Sequence, residues 1–161
     1  MGECQVIAII SGGQTGADQG GLLAARDLGI ATGGYAPKRY MTEDGPAREL
    51  LEPFGLEELP NPNYHVRTRM NASAADGTVI FGNNTGGSYL TWTLCRRGGK
   101  AVYIISNPHK MHEHDVTTFR TWLLNNKIKV LNVAGNRESK NPGICNAVRV
   151  FLVHALRDEG R

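Results

Sequence analysis

Five short apolar runs, at 5–10, 31–35, 78–81, 101–105 and 128–133, alternate along this chain with stretches whose apolar residues recur at helical spacing. None of the runs alternates strictly with polar residues, so each reads as a brief strand buried on both faces. Helical patterns fill 17–28, 88–97, 116–126 and 143–157, the last placing Val148, Leu152 and Ala155 on one stripe. Shorter helices are predicted at 44–51 and 67–75 in the less regular middle. Such alternation specifies an α/β fold, a Rossmann-like three-layer sandwich around a mostly parallel sheet. The 161 residues read as one domain, 1–161, large enough to hold a core without a metal or disulfide staple.

In sheets of this kind ligands sit at the carboxyl ends of the strands, where the connection order reverses. The loops to inspect are therefore 11–16, 35–40, 82–88, 106–114 and 134–141. The first reads Ser11-Gly12-Gly13-Gln14-Thr15-Gly16 and opens directly into a helix. Glycines let backbone N–H groups face a ligand, and the helix start adds its positive dipole end, so the turn suits an anion such as phosphate. It matches the dinucleotide fingerprint only in part, with Ser11 in the first glycine position. The loop after the second strand carries Lys38 and Arg39 where NAD binding needs an acid for the ribose. No Gly-Lys-Ser or Gly-Lys-Thr occurs, which removes the ATP-binding P-loop. Neither NAD nor ATP is expected.

Asp18 has two readings. Thr15-Gly16-Ala17-Asp18 has capping-box spacing, so Asp18 can close the helix start on the backbone, or it can orient a ligand hydroxyl or water. Beside bound phosphate its charge would repel.

A second strand-turn-helix passage, Gly82-Asn83-Asn84-Thr85-Gly86-Gly87-Ser88-Tyr89-Leu90-Thr91, repeats the design. Ser88, Thr91 and freed backbone N–H groups offer neutral donors to phosphate oxygens; as a plain structural feature, 85–87 is a turn and Ser88 an N-cap. Lys38, Arg39, Arg67, Arg69 and Arg137 fall where a parallel sheet can bring them to one edge, and Lys38, stiffened by Pro37, is the leading cation. The segment from His109 to Asp115 is dense in His and Glu but lacks His-Glu-x-x-His, so it reads as a polar loop with Asp115 capping the next helix; no metal site is expected. Gly-x-Ser-x-Gly is absent too.

The net charge of +3 favours small anionic partners, without the dense basic run of a nucleic-acid arm. Cys4, Cys95 and Cys145 form no Cys-x-x-Cys and are odd in number, which fits a reducing cytoplasm. No leader or membrane-spanning segment is expected.

The combination of 11–19, Gly33-Gly34-Tyr35-Ala36-Pro37-Lys38, Glu43-Asp44-Gly45, Arg67-Thr68 with Asn71, Asp76-Gly77-Thr78, Thr85-Gly86-Gly87-Ser88 and 132–139 resembles the molybdenum cofactor carrier protein family. That family is a circularly permuted branch of the LOG-like, Rossmann-fold nucleotide-binding superfamily. The resemblance implies a cytosolic homo-oligomer, dimer or tetramer, carrying the molybdenum cofactor, a pterin with a phosphate and a dithiolene-held metal. The expected binding residues are Gly12, Gly13, Gln14, Thr15, Gly16, Lys38, Arg67, Thr85, Gly86, Gly87, Ser88, Thr91 and Arg137. Enzymes of the wider superfamily, which hydrolyse nucleoside monophosphates at the N-glycosidic bond, resemble one another in Pro-Gly-Gly-x-Gly-Thr-x-x-Glu. Here 85–93 keeps the glycine pair but has Thr93 in place of the glutamate. A hydrolase would have to recruit Asp18, Glu43 or Asp76 as acid or base. A nucleotide sensor is the remaining alternative.

Overall fold

The structure, a computed structural model, describes residues 5–157. Cys4 lies outside them. In chain order the elements are β1 (Ala8–Ile10), α1 (Ala17–Leu28), β2 (Ala31–Ala36), β3 (Met41–Thr42), β4 (Gly45–Pro46), α2 (Arg48–Leu51), β5 (Leu56–Glu58) and α3 (Tyr64–Ala74). They continue with β6 (Gly77–Phe81), α4 (Gly87–Arg97), β7 (Ala101–Ile105), α5 (Glu113–Asn125), β8 (Val130–Gly135) and α6 (Ile144–Leu156). Six strands form one sheet in the order β5-β2-β1-β8-β6-β7, every pairing parallel. The fold is α/β and Rossmann-like, as the alternation specifies.

All five predicted strands are present, and α1 and β7 have the expected bounds. Burial on both faces holds for the interior strand β6, whose residues are all buried; the edge strand β7 is mostly half-buried. The helix expected over 44–51 shrinks to α2, because Gly45 and Pro46 pair with Met41 and Thr42 in a small antiparallel hairpin. Gly45 there has φ 104°, outside helical space.

The main core lies where α1, α5 and α6 cover one face of the sheet. Phe81 meets Phe151 edge-on at 5.7 Å between ring centroids, and Phe119 meets Phe151 at 5.6 Å. Each such pair contributes about 0.5–1.5 kcal/mol beyond its buried area. The other face, under α3 and α4, carries buried polar residues. Asn132 on β8 donates from Nδ2 to the Thr78 hydroxyl on β6 at 3.2 Å, so the two neighbouring strands satisfy each other's polar side chains. Asn71 of α3 brackets the Tyr35 peptide, accepting from its N–H at 2.9 Å and donating to its carbonyl at 3.0 Å. That clasp fixes α3 across β2 and so sets the position of Arg67, one turn earlier.

Candidate functional site

A cleft of about 580 Å³ opens at the carboxyl ends of β1, β6 and β8, walled by α3 and the N-terminus of α4. This is where the strand order reverses, because β1 continues outward to β2 while β8 returns between β1 and β6. Three segments meet there: Gly12 and Gln14 of the first loop, Asn83 to Thr91 of the second, and Asn132 to Lys140 of the third. Tyr64, His65, Arg67, Thr68 and Asn71 supply the α3 wall.

Arg67 reaches from α3 across the first loop. Its Nη1 donates to Asp18 Oδ2 at 2.9 Å, with the two side chains only 13% and 7% exposed. The approach requires Gly12, since a Cβ there would fall 1.6 Å from Nη1. Asp18 Oδ2 also accepts from the Gln14 N–H at 3.1 Å. Burial pushes the Asp18 carboxyl above its ordinary value of 3.8, opposed by the Arg67 charge and the hydrogen bonds from Arg67, Gln14 and Gly12. The capping box does not form: Gly16, not Thr15, precedes α1, and Asp18 reaches back to Gln14 instead. Asp18 thus organises the loop and anchors a cation.

Gln14 is 4% exposed. Its Oε1 accepts from the Thr15 N–H at 3.1 Å and the Glu43 N–H at 2.8 Å, while its Nε2 is buried without an acceptor. Arg67 Nε is buried without one as well.

The remaining first-loop residues hold the scaffold and do not line the cleft. Gly13 packs on Leu51 and Leu56. Thr15 donates from its hydroxyl to Glu43, which also accepts from the Ser139 hydroxyl and from the Ser139 N–H at 3.1 Å. Gly16, with φ 82°, lies against the backbone of 136–138. The hairpin carboxylate of Glu43 therefore ties the first loop to the third. Its hydrogen bonds to Ser139 and Thr15 hold its pKa below the ordinary 4.5. Sign follows from that: the tie contributes stability above the ordinary value and loses it as pH falls through the lowered one. Thermal melts of Glu43→Gln against the parent should show a deficit at pH 7 that closes in acid; a constant deficit would mean the charge is irrelevant.

The second loop presents α4 by its N-terminus. Gly86, with φ 55°, precedes the helix, no side chain caps it, and nothing would meet a Cβ at Gly86 or Gly87 within 4 Å. The helix start is therefore open to the cleft, with its positive dipole end. Thr85, Gly86, Gly87, Ser88 and Thr91 all line the cleft. Thr91 differs in chemistry, because its hydroxyl proton goes to the Gly87 carbonyl at 3.0 Å. Thr93, standing where the superfamily enzymes carry glutamate, likewise bonds within the helix, to the Tyr89 carbonyl at 2.9 Å.

The third loop brings the cations. Arg137 lies over one side of Tyr64 at 5.5 Å and Arg67 contacts the same ring at 5.3 Å, so an aromatic residue holds two guanidinium groups near one another. Lys140, which no motif in the sequence marks, joins them in the lining. Asn136 fixes this loop to the second: its Oδ1 accepts from the Asn83 N–H at 2.9 Å and its Nδ2 donates to the Asn83 carbonyl at 3.2 Å.

Besides Gly13, Thr15 and Gly16, two further expected residues lie outside the cleft. Lys38 is exposed and absent from the cleft lining, because the short turn at Lys38–Tyr40 buries Tyr40, whose hydroxyl donates to the Leu56 carbonyl at 3.1 Å. Lys38→Ala should leave phosphate affinity and its salt dependence unchanged in calorimetric titration; a weakened salt slope would return Lys38 to the site. Asp76 sits before β6, at the opposite end of the sheet, where its carboxylate accepts from the Lys129 and Val130 N–H groups at 3.0 and 2.8 Å. Those bonds lower its pKa and give it a structural role. Asp18 is the one carboxylate in the cleft lining among the described residues. In the 109–115 segment, His109 pairs with Asn141 at 2.7 Å, α5 starts after His112 and Asp115 falls inside its first turn instead of capping it. No group of metal-binding side chains occurs among the described residues, and no helix among them is long and apolar enough to cross a membrane.

Fold and cleft define a Rossmann-like α/β protein with its site at the carboxyl edge of a parallel sheet. The model of the circularly permutated YpsA SLOG family matches residues 9–156, and the chain belongs to that family. The crystal structure of a protein from Syntrophus aciditrophicus SB, provisionally named a molybdenum carrier protein, is similar at 35% identity and a TM-score of 0.86, covering 95% of this chain and 96% of that one. No curated protein matches.

Proposed function

We propose that the protein binds and carries a small phosphate-bearing ligand, with the molybdenum cofactor as its cargo. The observation that carries this reading is the convergence of the uncapped α4 N-terminus with Arg137 and Lys140 in one cleft. Backbone N–H groups and a helix dipole bind phosphate without proton chemistry, and two cations add charge. The similar protein from Syntrophus aciditrophicus, with its molybdenum carrier name, supports the cargo. Cofactor released from a molybdoenzyme and mixed with this protein should co-elute and resist oxidation; oxidation at the rate of free cofactor would sink the reading. Arg137→Ala with Lys140→Ala should weaken inorganic phosphate binding and flatten its salt dependence, as calorimetry at several ionic strengths would register.

A second reading, hydrolysis of a nucleoside monophosphate at its N-glycosidic bond, draws on Asp18, a cleft carboxyl whose pKa burial has raised. Against it, Asp18 is already engaged by Arg67 and Gln14. Release of free base from a nucleotide panel would favour it. A cytoplasmic dimer or tetramer remains part of the proposal, checked by sedimentation.

A further inference from the structure

Deep in the cleft, two nitrogen donors are left over. Gln14 Nε2 and Arg67 Nε are both shut away from water and from protein acceptors. The orientation of the Gln14 amide is fixed, because two backbone N–H groups, from Thr15 and Glu43, converge on the other atom and require it to be oxygen. Buried donors without acceptors are costly and rare in folded proteins. Both belong to residues that line the cleft, which marks its inner wall as a place where a ligand can supply the acceptor.

The local charge narrows what that is. Arg67 is already paired with the buried Asp18, so the inner end of the cleft offers donors but little net positive charge. A second phosphate there would meet the Asp18 carboxylate. A neutral oxygen, such as a ring oxo group, takes both hydrogen bonds without that repulsion. An amino substituent at the same position would set donor against donor.

We infer that Gln14 and Arg67 form an inner subsite for a ring oxo group of the ligand whose phosphate lies at the α4 N-terminus, so the site selects oxo-substituted over amino-substituted heterocyclic monophosphates. This rests on the phosphate-binding reading above. The cleft volume of about 580 Å³ is in the range that holds a nucleotide-sized molecule. Both donors are closed off in the unliganded protein, so entry requires the Arg67 side chain to shift locally while its Nη1 keeps the bond to Asp18. Gln14 is then a specificity-determining residue and the α4 N-terminus the source of general affinity.

Calorimetric titration of the parent with inosine 5′-monophosphate, adenosine 5′-monophosphate and inorganic phosphate tests this, since the two nucleotides differ at the oxo or amino position. The inosine nucleotide should bind about tenfold tighter or more, the size of one unmatched buried hydrogen bond. Gln14→Glu at pH 8 keeps the Oε1 acceptor and removes the donor; Gln14→Met removes both. In each the ratio should collapse toward one; Gln14→Met adds no charge to the cleft, so it separates loss of the donor from repulsion of the phosphate by the new carboxylate of Gln14→Glu. Equal affinity for the two nucleotides in the parent, or phosphate binding with no nucleotide binding, overturns the inner subsite and leaves the phosphate reading standing. A ratio that survives in both variants removes Gln14 from it. Failure of inorganic phosphate and both nucleotides to bind overturns the phosphate reading, and the subsite with it.

Discussion

Replacing Arg67 with methionine should cost about 3 to 5 kcal/mol at neutral pH, the usual penalty for removing one partner of a buried ion pair. Asp18 is 5% exposed, so its carboxylate would lose its counter-charge with no access to water. The cost should depend on pH in a definite direction. The Asp18 pKa in the folded protein lies above the ordinary 3.8, so the folded state holds its proton more firmly than the unfolded state does. Stability from this group is present in acid and is lost as pH rises through the raised value. Without Arg67 that value climbs further, so the gap between Arg67→Met and the parent should be widest above neutrality and should close toward pH 4. Chemical denaturation across that range would measure it. Adding Asp18→Asn to Arg67→Met should recover most of the loss, since the stranded charge is gone; an equal deficit at every pH, with no recovery, would show that packing over Tyr64 matters and the charge does not.

The second large effect is expected at Gly16. Its φ of 82° disfavours any side chain, and a Cβ would stand 2.4 Å from the Asn136 carbonyl oxygen and 2.6 Å from the Glu138 nitrogen. Both obstacles are backbone, so neither can rotate away. Strain and overpacking together should cost Gly16→Ala about 3 to 5 kcal/mol. The displaced segment is the one that carries Arg137 and leads to Lys140, so phosphate affinity should fall along with the melting temperature. A variant that melts like the parent and binds phosphate normally would mean that the third loop does not depend on this contact.

Gly16 also marks the boundary of what the sequence discloses. Its presence in a glycine turn before a helix is legible from pattern alone, and so is the strand-turn-helix at Gly86, because both follow from local periodicity. The partner that each glycine serves is not local. Gly12 and Gly16 read as a phosphate cradle, yet Arg67 lies over one and the 136–138 backbone over the other. Lys38 follows a strand as a ligand residue should, but the burial of Tyr40 turns that segment outward. Asp76 shows the same limit, since only the alignment of β6 and β8 puts its carboxylate on Lys129 and Val130. Lys140 had no signal beyond its place in a strand-following loop, and β5, three residues long, was too short for periodicity to reveal. Periodicity therefore yields the layers and loops, while long-range packing decides which loop residues face the ligand.

Assigned backbone amide spectra recorded during an inorganic phosphate titration would test the central claim most directly. Saturable shifts should concentrate at Gly86, Gly87 and Ser88 and in the segment from Arg137 to Lys140, with Lys38 to Tyr40 unmoved. An absence of saturable shifts, or shifts confined to the turn at Lys38, would contradict a phosphate site at the N-terminus of α4.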